Sequence, residues 1–241
     1  MKRLSMFAAV AAATVWSASA SADVEEPRAW AWSPIGIGIA APLQLPFMSS
    51  DVWGLRFGGA FAYNADVYGI DCGAVEVASG SMAGIQGAAF TWTAGDAYGI
   101  QASGLANVVK GSFYGIECGV VNVAWGDFWG IQAGAVNFDG SLAGLQVGAA
   151  LNWNIVDSYG VQLSVANADK AAFNGFACGV VNYAAAFTGF QLGVVNVAAD
   201  TTGFQLGLVN AAGGMHGVQI GAVNLIAESK LPVMVIANAS F

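Results

Sequence analysis

Between Gly189 and Asn224 apolar and polar side chains alternate in a unit of 14 residues that recurs almost unchanged: GFQLGVVNVAADTT, GFQLGLVNAAGGMH, then GVQIGAVN. Looser copies lie upstream, so that repeats begin at Gly54, Gly69, Gly84, Gly99, Gly115, Gly130, Gly144, Gly160, Gly175, Gly189, Gly203 and Gly217, spaced 14 to 16 residues. The second position is always large and apolar, from Leu55 and Ile70 through Ile131 to Phe190, Phe204 and Val218. The third is polar in all copies but one: Arg56, Asp71, Gln86, Gln101, Glu117, Gln132, Gln146, Gln162, Gln191, Gln205 and Gln219, with Ala177 the exception. The fifth is Gly, Ala or Ser throughout. Alternation of period two predicts a strand in every copy, with one apolar face and one face of Gln and small residues. A buried unpaired charge is costly, so a face that accepts Arg, Asp and Glu is expected to meet water.

Asn occupies the eighth position at Asn122, Asn137, Asn167, Asn182, Asn196, Asn210 and Asn224, and falls one place later at Asn107 and Asn152, as an inserted β-bulge residue would require. Turn-forming pieces such as Gly126-Asp127 and Asp139-Gly140-Ser141 separate the copies. Strands of about 9 to 11 residues joined by short turns have the length of a tilted strand that crosses a bilayer. A first strand over Ile35–Leu45, twelve repeats and a last strand in LPVMVIANASF total fourteen, an even number as single-chain bacterial barrels require. The expected fold is therefore all-β: an antiparallel transmembrane β-barrel of about 14 strands. Its second positions would face lipid, and the polar third-position column would line the lumen. Trp53, Tyr68, Tyr98, Tyr114, Trp129 and Tyr159, near strand ends, would form interfacial girdles. The competing architecture is a parallel β-solenoid, in which stacked copies set Gln on Gln and Asn on Asn.

Composition sharpens both readings. The 241-residue chain is 56% hydrophobic and only 9% charged, with net charge −8, where soluble domains carry roughly 25% charged residues. So few charges favour membrane or assembly contacts, and the shortage of Lys and Arg excludes a nucleic-acid footprint. Residues 1–22 have the layout of a secretory signal peptide: Lys2 and Arg3, an apolar run, then Ala20-Ser21-Ala22. Residues 23–34 read as a polar lead, and 35–241 as a single repeat-built domain. Cys72, Cys118 and Cys178 share one apolar slot and are read as small hydrophobes, with disulfide pairing as the alternative; no CxxC or Cys/His spacing suggests a metal.

GFQLGVVN, GFQLGLVN and GVQIGAVN resemble the tandem GxQxGxxN units of a family of bacterial surface-repeat proteins, and the likeness covers roughly Gly115 to Asn224. That resemblance implies an outer-membrane or surface address with no assigned reaction. The terminal strand with Phe241 at its end resembles the closing strand of bacterial outer-membrane barrels, which implies recognition by the barrel-assembly machinery. QxGxxNxA, at Gln191 to Ala198, also resembles the curlin repeat of extracellular amyloid fibres.

Catalytic chemistry is not indicated. The one histidine, His216, falls between two repeats with no acid or nucleophile recurring near it, and the glycines belong to strands rather than a phosphate loop. No cofactor or metal is expected. The functional expectation is an exported, non-enzymatic outer-membrane repeat barrel with a structural or small-solute passage role and outer-membrane lipid as partner. The alternative is a secreted solenoid or fibre-forming surface protein that assembles through Gln and Asn ladders.

Overall fold

A computed structural model describes residues 32–241. The expected signal peptide and most of the lead lie outside the described residues. Thirteen strands follow in order: β1 (Trp32–Ala40), β2 (Leu43–Leu45), β3 (Asp51–Asn64), β4 (Val67–Cys72), β5 (Val75–Ala78), β6 (Met82–Thr93), β7 (Ala97–Val109), β8 (Phe113–Cys118), β9 (Val121–Asn154), β10 (Ser158–Leu163), β11 (Ala166–Leu206), β12 (Val209–Ile226) and β13 (Val233–Ser240).

The pairing overturns the barrel. From β3 to β12 the partners run parallel, and each residue stands on its equivalent one repeat later: Gly54 on Gly69, Gly99 on Gly115, Gln205 on Gln219. An antiparallel barrel needs hairpins between successive copies. Among the described residues antiparallel pairing occurs only at the two ends, β1 with β2 and β12 with β13. The strand order runs from β13 to β2 without closing on itself. The chain is a parallel β-solenoid of twelve repeat coils, with β1 as a further layer beneath β3. Expected turns such as Gly126-Asp127 and Asp139-Gly140-Ser141 are corners of a coil, extended enough that β9 and β11 run through several coils unbroken.

Each coil has two arms. In the coil of Gly69 they are β4 and β5, and in the coil of Gly160 they are β10 and the start of β11. The first arm sends three side chains inward and three outward: in the coil of Gly115, Phe113, Gly115 and Glu117 point in and Tyr114, Ile116 and Cys118 out. The second arm adds two inward positions, the Asn of the eighth position and the residue two places on. The interior is thus a set of columns one side chain wide, repeated at the strand spacing of about 4.8 Å.

Glycine at the head of every repeat follows from this stacking. All twelve have positive φ between 114° and 151°. A Cβ on Gly130 would sit inside van der Waals contact of the Gly115 carbonyl oxygen, and the same holds along the column. The inserted residue expected before Asn107 is also visible. Pairing slips between Ala88 and Phe90, so that β7 carries one extra residue, and Asn107 returns to register over Asn122.

The ends are closed by strands that run antiparallel to their neighbours. At the first, Ala41 and Pro42 turn the chain from β1 into β2, so the proline ends a strand instead of lying within one. Gln44 of that hairpin plugs the interior, donating to the Tyr63 carbonyl and accepting from the Tyr63 amide at 3.0 Å. At the other end β13, expected to close a barrel, lies antiparallel on β12 and lowers Asn238 onto the Gln column, opposite Gln219.

Candidate interaction surfaces

The third-position column, expected to line a wet lumen, is the packed axis of the molecule. Arg56, Asp71, Gln86, Gln101, Glu117, Gln132, Gln146, Gln162, Gln191, Gln205 and Gln219 are all buried, at 1% exposure or less. Where the preceding rung is polar the amide donates to it: Gln101 to Gln86 at 2.8 Å, Gln146 to Gln132 at 3.0 Å, Gln205 to Gln191 at 2.7 Å and Gln219 to Gln205 at 2.8 Å. Beside it runs an Asn ladder from Asn107 to Asn224. From Asn107 to Asn210 every Nδ2 donates both to the next Asn Oδ1, at 2.8–2.9 Å, and to a backbone carbonyl of the next coil, and Asn224 ends the ladder by donating to the Gly221 carbonyl. Primary amides carry donors and acceptors in equal number, so identical rungs satisfy one another without water.

The buried charges that seemed to demand water are handled in two ways. Arg56 is neutralised by Asp71, through a two-pronged contact at 2.7 and 2.6 Å, and also meets Glu76 at 3.0 Å. The carboxyl of Glu76 has no aligned donor, and burial with Asp71 nearby pushes it up to about 8. Elsewhere protonation removes the charge. Burial pushes Glu117 up to about 8 and Asp169 up to about 7, and raises Asp139 well above the usual carboxylate range. Geometry agrees for Glu117. Its Oε1 and the Oε1 of Gln101, the rung it pairs with, both lack a donor, and one proton between them satisfies both.

With the Gln and Asn columns inside, the outer face of the first arms is largely apolar, apart from Asn174, Thr188, Thr202 and His216 in its last four coils. Outward positions of the first arms form three rows along the axis. The middle row is the large apolar second position, with Ile116 at 40% and Ile131 at 44% exposure. The first row carries the expected girdle aromatics. They do not sit at two membrane interfaces but pack on one another, Trp53 tilted against Tyr68 at 5.2 Å and Tyr98 stacked on Tyr114 at 5.0 Å. The third row holds the three cysteines, all free and none buried. His216, expected in a turn, lies in β12 on the first row with its ring edge-on to Phe241 at 5.7 Å.

No Asp, Glu, Lys or Arg occupies any of these three rows in the twelve coils. Acidic residues gather instead at the corner that leads into the first arm, three residues before the head glycine: Asp51, Asp66, Asp96, Asp127, Asp157 and Asp200. Several cap the neighbouring coil, as when Asp66 accepts from the Ser81 amide and Asp96 from the Ser112 amide. Lys110 and Lys170 share that corner but lean over Trp92 and Trp153 of the second arms. This acidic corner is legible in the sequence as a recurrent Asp once the coil is known, yet it passes for ordinary turn composition without it. Among the described residues no group of His, Cys, Asp or Glu is placed to hold a metal ion. No family model, curated protein or solved structure matches the chain.

Proposed function

We propose that this chain is an exported, non-enzymatic β-solenoid that serves as a structural, self-associating element of the cell surface or extracellular matrix. One observation carries the reading: an unbroken stack of in-register coils whose polar groups are consumed inside and whose first-arm rows carry no charge. A surface of that kind is stable in water only when covered, since exposed apolar patches beyond a few hundred Å² mark interaction sites. The resemblance of GFQLGVVN, GFQLGLVN and GVQIGAVN to surface-repeat units supports the address, as does the signal-like start of the sequence. The Gln and Asn ladders act within the chain: fully buried, they offer no lateral assembly surface, and association falls to the outer rows.

The test is to express the full chain with its own leader in a Gram-negative host and follow where it goes. Recovery from the surface or medium as ordered, β-rich assemblies without detergent, visible by electron microscopy, is the expected result. A protein retained in the cytoplasm, or monomeric at high concentration in detergent-free buffer, defeats the reading.

A further inference from the structure

We infer that the first-arm face is a self-association surface, taken by a second copy of this chain packed face to face about a two-fold axis parallel to the solenoid axis. The inference deepens the assembly reading above and rests on it.

Size comes first. Twelve coils at about 4.8 Å and five residues at about 3.3 Å give a flat face of roughly 58 by 16 Å, about 900 Å². A specific stable interface covers about 800 Å² on each partner. The face is periodic, with side-chain rows spaced by the strand repeat, and the surface that meshes with it along its full length is another stack of the same repeat, as in a dry sheet-to-sheet zipper.

Charge then selects the orientation. A two-fold axis along the strands would bring both acidic corners to the same edge of the pair. An axis along the solenoid sends them to opposite edges, which avoids like-charge repulsion. Shape agrees with the second arrangement. It lays the first row of one copy on the third row of the other, coil for coil, and the middle row on itself. Large first-row residues coincide with small third-row residues in the same coil: Tyr98 with Ala102, Tyr114 with Cys118, Trp129 with Ala133. Tyr68 with Cys72 follows the same rule, so four of the six first-row rings of one copy meet a small residue of the other, while Trp53 and Tyr159 fall opposite Phe57 and Leu163.

The middle row gives the test, because only there does a residue meet its own copy. In a chain carrying Cys72→Ser, Cys118→Ser and Cys178→Ser, the single addition Ile116→Cys is treated with a short bismaleimide that spans the separation of about 10 Å between packed sheets and run on denaturing gels. A covalent dimer comprising most of the chain is expected, and Ile85→Cys should behave alike, which guards against a local fault in either variant. Circular dichroism confirms that both keep the parent fold. If mixed chains carrying Ile116→Cys and Val161→Cys cross-link to each other instead, the copies run antiparallel and the inferred axis is wrong. Association without any middle-row cross-link overturns this face while leaving the assembly reading intact. A monomer in light scattering removes both. Monomeric binding to phosphatidylglycerol vesicles would make lipid the occupant and also overturn the inference.

Discussion

At the scale of single residues the two glycine classes behave differently. Gly130 has φ 138°, and a side chain there would run into backbone of the preceding coil. Gly87, in the third outward row, has nothing within 4 Å of an added Cβ. Gly130→Ala is expected to destabilise by at least about 3 kcal/mol, and Gly87→Ala to change stability by less than about 0.5 kcal/mol; thermal melts of the pair check both. Buried carboxyls give the molecule an unusual pH dependence. Glu117, raised from 4.5 to about 8, and Asp169, raised from 3.8 to about 7, are protonated when folded and ionised when unfolded across the interval between those values. Their contribution is fully present below pH 4 and is lost as pH rises toward 8, by on the order of 5 kcal/mol for Glu117 alone. Melting temperature should fall over that range. Glu117→Gln, which supplies an amide to the empty Oε1 of Gln101 without a proton, should flatten the fall.

At the scale of one coil the unit of stability is the rung, and Ala177 is a missing rung. Gln162 on one side of it has an Oε1 with no donor. Ala177→Gln would place an amide in the slot that every neighbouring coil fills with a polar side chain, and is expected to raise stability by about 1 kcal/mol, measurable as a higher melting temperature. A clash in that slot would appear as the opposite sign. The same logic explains Phe113 stacked on Phe128 at 5.3 Å and Phe190 on Phe204 at 5.1 Å: parallel in-register stacking turns each repeat position into a column of like with like.

At the scale of the whole molecule, the ends control growth along the axis. β13 runs against the coils, so another copy cannot continue the ladders from Gln219 and Asn224 across it. Deleting residues 231–241 bares that parallel edge and is expected to lengthen the assemblies end to end, seen as faster sedimentation and longer particles in electron micrographs. The sequence by itself determined the all-β class, the coil length, the strand alternation and which positions share a column. It could not distinguish a 14-residue hairpin strand from a 14-residue coil, because period-two alternation is the same in both. Nor could it say what a polar column meets: Gln132 reads as water-facing until Gln146 stands on it at 3.0 Å. Glu117 and Arg56 look incompatible with an interior until a proton and Asp71 remove their charge. Parallel or antiparallel pairing, and hence whether apolar rows face lipid or another surface, was decided only by tertiary structure. Whether those amide columns meet water or one another depends on contacts between residues 14 to 16 apart, and local patterning carries no record of them.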